Sequence, residues 1–213
     1  MMDATLNSTR LIDADSPVVR AFTAKHAGAG SDIQKAVRLY YAVRDAIPYS
    51  MFAFGIDQAR FMASNVLGST SAFCVPKAVA LAAVARAAGI ASRIGFADVR
   101  NHLVPDNALA LMEGDLFRWH AYTALFLDGN WVKATPAFNI ELCQRHGVTP
   151  LDFDGREDSI FHPYDQAGRQ HMEYVRFHGE FDDMPLDRFG REMRRHYPRM
   201  LAALKDNQTR KAG

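Results

Sequence analysis

The stretch from Cys74 to Gly89 constrains this chain more than any other. It reads Cys-Val-Pro-Lys-Ala-Val-Ala-Leu-Ala-Ala-Val-Ala-Arg-Ala-Ala-Gly. Proline is tolerated in a first helical turn, because its missing N–H is an orphan there in any case. Glycine suits the left-handed position just past a helix end. The pattern predicts a helix that starts near Cys74 and ends near Ala88. Small alanine side chains let other elements approach closely, so this helix is expected at the centre of the fold. Its most apolar part, Ala78 to Ile90, is interrupted by Arg86 and Gly89 and is too short to cross a membrane.

Upstream, Ser31-Asp32-Ile33-Gln34 fits a capping box. Ile33, Val37, Tyr40 and Val43 then recur at helical spacing, which predicts a helix from about Asp32 to Ala46 that Pro48 stops. Residues 1–30 read as an irregular lead-in, and residues 49–72 carry loop punctuation. Downstream the period changes. Ala91 to Val99 and Phe117 to Leu127 read as strands, and Asp128-Gly129-Asn130 as a turn into a strand from Trp131 to Thr135. Helices first and a hairpin-rich sheet afterwards indicate an α+β fold rather than a doubly wound parallel sheet. Beyond Pro136 the chain is less regular. Asp152-Phe153-Asp154-Gly155 and His162-Pro163 read as loops, and Leu186 to Leu204 as a helix broken or kinked at Pro198. The tail from Lys205 reads as frayed. The implied organisation is a lead-in over 1–30, a core over 31–139, and an accessory segment over 140–213. The accessory segment is expected to pack back on the core, because it holds many large apolar groups, Phe153, Phe161, Tyr164 and Phe177 among them.

With 213 residues, 48% apolar and 23% charged, the chain can bury a core without a disulfide framework. Twenty-five basic against 24 acidic residues argue against a dedicated nucleic-acid binder. The basic run from Arg188 to Lys211 reads as a solvated helix face. The opening residues lack a basic region followed by an apolar run, so no secretory leader is expected and the expected compartment is the cytoplasm. Two cysteines, Cys74 and Cys143, cannot make a thiolate zinc site by themselves. Cys143-Gln144-Arg145-His146 lacks a second ligand pair, and the scattered histidines show no zincin spacing. No metal and no cofactor are implied.

Two residues stand out chemically. Cys74 sits at the expected helix start, where unpaired N–H groups favour a thiolate and are placed to stabilise an oxyanion. His120 opens a strand, His120-Ala121-Tyr122-Thr123, and is the residue type that serves a thiol as base and acid. The strand Trp131 to Thr135 follows one hairpin turn later and is placed to orient the imidazole. Asn101-His102 reads as a surface turn.

Three segments in this order resemble the transglutaminase-like superfamily, a branch of the papain-like cysteine enzymes. They are Val43-Arg44-Asp45-Ala46-Ile47-Pro48-Tyr49, the helix from Cys74 running through Leu81 to Arg93, and His120-Ala121-Tyr122 with Leu127-Asp128-Gly129-Asn130-Trp131-Val132. The likeness covers roughly residues 30 to 140. It implies a papain-like core, with a nucleophilic cysteine at the start of a central helix packed on an antiparallel sheet. It puts the catalytic cysteine at Cys74 and the histidine at His120. The usual acid, which holds the imidazole tautomer, falls on Thr135, a departure that removes the charge. Asn139 is the alternative orienter, and Asp152 or Asp154 are more distant ones. The glycine pattern usual before the cysteine is replaced by Ser71-Ala72-Phe73.

The resemblance implies acyl transfer from an amide or peptide bond through a Cys74 thioester. The substrate would be a protein, a peptide or a small amide, and hydrolysis is expected ahead of cross-linking. No nucleic acid or membrane partner is expected, and the oligomeric state stays open. The alternative, raised by Thr135, is a catalytically inactive binding or interaction module on the same fold.

Overall fold

A computed structural model describes residues 4–102, 109, 114–160 and 172–203. The helices are α1 (Pro17–His26), α2 (Asp32–Ala46), α3 (Ala63–Leu67), α4 (Cys74–Ala87), α5 (Ile140–His146) and α6 (Leu186–His196). The strands are β1 (Ser92–Asn101), β2 (Leu116–Leu127), β3 (Asn130–Ala134) and β4 (Met172–Phe181). The strands form an antiparallel sheet in the order β3-β2-β1-β4. Among the described residues no helix is long and apolar enough to cross a membrane.

Helix α4 is apolar on all sides, and such a helix is stable only when enclosed. Every residue from Val75 to Arg86 is buried. The sheet covers one side, where the Thr123 hydroxyl donates to the Ala78 carbonyl at 2.8 Å. Helices α1 and α2 cover the other. Thr23 donates to the Val84 carbonyl at 3.4 Å, and the Lys77 side-chain nitrogen reaches back to the end of α2. Arg86 holds the far end of α4 by donating to the carbonyls of Asn7, Ser92 and Asp182. Gly89 has φ +83° beyond the helix end, as its position predicts. The capping box of α2 forms in both directions, with Gln34 N–H donating to Ser31 Oγ and Ser31 N–H to Gln34 Oε1.

Tyr122 of β2 stands opposite Gly95 of β1 and lies over it, so that a side chain at 95 would overlap the phenol ring. β1 steps in register against β2 between Ala97 and Val99, and against β4 at Phe96/Ala97 and Asp98/Val99. These bulges cluster at the level of His120, which faces Ala97. Bulges kink a strand and re-aim its side chains.

The structure departs from the sequence-based expectation in the short helices α3 and α5, which fall in stretches read as irregular, and more consequentially in two further places. The lead-in expected to be irregular contains α1, and its signal was Pro17 at the first helical position. The segment after Pro136 supplies β4, which adds to the sheet beside β1. Its apolar alternation is broken, because Val175 and Phe177 are exposed and Gly179 has φ +100°. α6 ends at His196, and helical conformation resumes over 198–203, so Pro198 divides two pieces. Phe153, Met184, Phe189, Met193 and Tyr197 share one buried cluster with α4 and α2. The loop expected at His162-Pro163, the residues Phe161 and Tyr164, the end of the last helix at Leu204 and the tail from Lys205 lie outside the described residues.

Candidate active site

Cys74 is the first residue of α4, and the chain enters it through a stapled segment. Pro48 ends α2, and the extended residues after it pair with those before the cysteine. Ala72 N–H donates to the Pro48 carbonyl and Ser50 N–H to the Ala72 carbonyl, both at 3.0 Å. Tyr49 and Ala72 thus form a short parallel bridge. Tyr49 is held in turn by Asn139, whose Oδ1 accepts its N–H at 2.9 Å.

The cysteine and the histidine named from the sequence line the same narrow pocket of about 50 Å³. The pocket is otherwise mostly aromatic and thioether, with Tyr49, Phe54, Trp119, Tyr197, Met193 and Met200 in its wall. The Cys74 sulfur lies against β2. Burial pushes its thiol up to about 11, while backbone hydrogen bonds from Ala121, Val75 and Cys74 itself hold it down. Ala121 directly follows His120, so the sulfur meets the strand beside the imidazole. Burial also holds His120 down, to about 3. The N–H groups of Cys74 and Val75 at the helix start do favour the thiolate, as expected, but burial outweighs them through the cost of a desolvated charge. Burial thus favours the neutral thiol and the neutral imidazole. Tyr49 is raised as well, first by burial and then by the neighbouring Cys74.

Thr135 directly follows β3 and is 1% exposed. Thr123 faces Ala134 across the β2–β3 ladder. One step further along that register puts Thr135 across from Tyr122, two residues from His120. Its hydroxyl has no hydrogen-bond partner among the described residues. Its backbone is fixed: the N–H donates to the Ser159 carbonyl at 2.9 Å, and the carbonyl accepts the Tyr40 hydroxyl at 3.2 Å.

The other orienters weighed from the sequence are engaged elsewhere. The Asn139 amide spends its oxygen on Tyr49 and donates its nitrogen to Glu141 Oε2 at 2.6 Å, so it reaches the site through the Tyr49 backbone. Asp152 accepts the Tyr41 hydroxyl at 3.3 Å, and Asp154 accepts the N–H groups of Arg156 and Glu157 in its own turn. His102 lies near Glu173 at the far end of β1 and does not line the pocket. Cys143 is buried in α5.

Sequence reasoning missed two buried charged residues next to the site. Lys77 lies one turn after Cys74 and is fully buried, and Asp98 is 3% exposed on β1. Each is a lone charge inside an apolar run, which is the signal that was available.

The family model of the transglutaminase-like superfamily matches residues 20–136, more than half of the chain, and the protein belongs to that superfamily. Membership supports a cysteine-dependent enzyme in general. Among solved structures the chain is similar to a putative cysteine protease from Cytophaga hutchinsonii, at 15% identity and a TM-score of 0.47. The likeness covers 82% of this chain and 53% of that one, so this chain spans about half of that protein's length. No curated protein matches the sequence.

Proposed function

We propose that the protein is a thiol acyl-transfer enzyme that cleaves amide or peptide bonds through a Cys74 thioester, with water as the acceptor. The observation that carries this is the shared pocket of Cys74 and His120, with the sulfur against the strand that bears the histidine. His120 takes the thiol proton as Sγ bonds to the carbonyl carbon. The N–H groups of Cys74 and Val75 at the start of α4 receive the oxyanion. The amine then leaves with the proton from His120, and the acyl group stays on sulfur. Water next attacks the thioester and gives a proton to His120. The carboxylic acid departs, and the proton returns to the thiolate. Thr135, in the place of the family's acid, serves the imidazole with a neutral hydroxyl. Burial favours the uncharged form of both groups, so the proton moves within the pair as the reaction proceeds.

The test is the rate of iodoacetamide labelling at Cys74 in the intact protein, followed by mass spectrometry across pH. A thiolate made by transfer to His120 involves no proton from solvent. Where that transfer outpaces loss of the thiol proton to solvent, the labelling rate is independent of pH and exceeds that of His120→Ala. In His120→Ala the thiolate comes only from solvent deprotonation, so the rate climbs about tenfold per pH unit. A parent protein that already climbs this way, with no change in His120→Ala, refutes the catalytic pair. It would favour the inactive binding module, which the uncharged Thr135 and the enclosure of both groups also fit.

A further inference from the structure

We propose that Asp98 is the positioning residue for His120: its buried carboxylate accepts the Trp119 N–H and holds the left-handed backbone that aims the imidazole toward Cys74. This rests on the assignment of His120 as the base in the reaction above.

Trp119 immediately precedes His120 and has φ +57°. For a bulky aromatic residue that conformation is strained, and it persists only where the surroundings over-determine it. It marks a bulge. Ala97 faces His120 and Val99 faces Phe117, so the single residue Asp98 stands across from the two residues Arg118 and Trp119. A step of one residue in register exchanges the faces of every side chain beyond it. Asp98 therefore sits at the point that decides which face His120 presents.

Its carboxylate is committed to that point. Oδ1 accepts the Trp119 N–H at 3.1 Å and lies 2.7 Å from His178 Nε2. Oδ2 is 3.4 Å from Arg118 Nη1. The Trp119 ring is held from three sides. His178 stacks on it at 4.8 Å and 13°, Phe96 packs against it at 5.0 Å, and the Arg188 guanidinium lies 5.0 Å from its centroid. The indole cannot swing to relax the backbone, and the amide has its acceptor in Asp98. Ring and carboxylate together leave His120 one approach to the pocket. Asp98 does not line that pocket, so it acts through Trp119 and touches no reacting atom.

The experiment is the same labelling profile on Asp98→Ala, Asp98→Asn, His120→Ala and the double variant Asp98→Ala/His120→Ala. In Asp98→Ala the flat rate at neutral pH should fall at least about tenfold, the usual penalty for a misplaced catalytic group. The double variant should label no more slowly than His120→Ala alone. Asp98→Asn keeps an acceptor oxygen for the Trp119 N–H and should stay within about threefold of the parent, since the geometry survives. A residue of purely structural importance would lower the melting temperature and leave the flat profile in place, and that result overturns the proposal. Loss of the flat rate in both Asp98→Ala and Asp98→Asn also overturns it, because charge rather than the accepted amide would then be at work. If Asp98→Ala does not melt cooperatively, Asp98→Leu/His178→Phe replaces it, since removing both buried partners strands neither of them. A parent profile that His120→Ala leaves unchanged refutes the catalytic pair itself. A profile that His120→Ala abolishes and Asp98→Ala spares refutes only the positioning role.

Discussion

Lys77 Nζ lies 2.7 Å from the carbonyl oxygen of Arg44, the acceptor that Pro48 cannot serve. In a continuing helix that carbonyl would receive the N–H of the residue four places on. That residue is Pro48, which has none. The lysine supplies the missing donor and also reaches the Ile47 carbonyl at 2.5 Å. One buried side chain thus joins the end of α2 to the first turn of α4, directly behind Cys74. Lys77→Met should lower stability by about 1–3 kcal/mol, the cost of stranding buried acceptors.

The same lysine gives that loss a pH dependence. Burial brings its pKa down from 10.5 to about 7. A neutral amine still offers the two N–H groups that the two carbonyls need. Between pH 7 and 10.5 the unfolded chain binds more protons at this site than the folded one, so its contribution to stability rises with pH. The slope approaches about 1.4 kcal/mol per pH unit. The gap between the parent and Lys77→Met should therefore widen from pH 7 to 9 in urea titrations. A gap that stays constant would mean that Lys77 remains charged in the fold.

His120 makes the opposite end of the pH range informative. Burial lowers its pKa from 6.5 to about 3. Below pH 6.5 the unfolded chain takes up a proton that the folded chain refuses, so stability falls as pH drops from 6.5 toward 3. The loss reaches up to about 5 kcal/mol if the ring stays fully enclosed. His120→Gln should flatten that acid limb of the stability curve. An acid limb identical in the two proteins would show that the ring is charged, or hydrated, in the folded state.

Helix α2 was legible because its signals are local: Ser31 and Gln34 cap it, and Pro48 stops it. Helix α4 was legible for the same reason, from its alanine run and Gly89. The β2–β3 hairpin followed from Asp128-Gly129-Asn130. What the sequence concealed is non-local. β4 joins β1 from more than seventy residues away, and its alternation is masked by bulges. The state of Cys74 is set by β2 and by aromatic residues from distant segments, and their desolvation overrides the helix-end effect read from position. The roles of Lys77 and Asp98 depend on a carbonyl deprived by Pro48 and on a bulge beside His120. Neither is visible before the strands and helices are assembled.

Thr135 separates stability from chemistry. Its hydroxyl is buried and has no hydrogen-bond partner among the described residues. Thr135→Val keeps the shape and removes a desolvated polar group, so stability should hold or rise by up to about 1 kcal/mol. If the hydroxyl serves the imidazole during proton transfer, the flat labelling rate at Cys74 should fall roughly fivefold, the equivalent of one hydrogen bond of about 1 kcal/mol. Thermal melts and labelling rates on the same preparation check both halves. An unchanged labelling rate would remove Thr135 from the proposed mechanism.

The segment beyond Asn139 should be indispensable to the core. Phe153, Met184, Phe189, Met193 and Tyr197 are all buried in the cluster that encloses α4. At about 1.5–3 kcal/mol for each large apolar side chain, their removal forfeits roughly 8–15 kcal/mol, as much as a whole domain's net stability. Truncation would also leave β1 as an open edge, since β4 pairs along it from Ile94 to Asn101. A 1–139 fragment should therefore be insoluble or melt without cooperativity. It should bind a hydrophobic dye such as ANS, which reports exposed apolar surface. Calorimetry and light scattering decide the matter. A soluble fragment with a sharp melting transition would mean that the core folds alone and that residues 140–213 are a separate module.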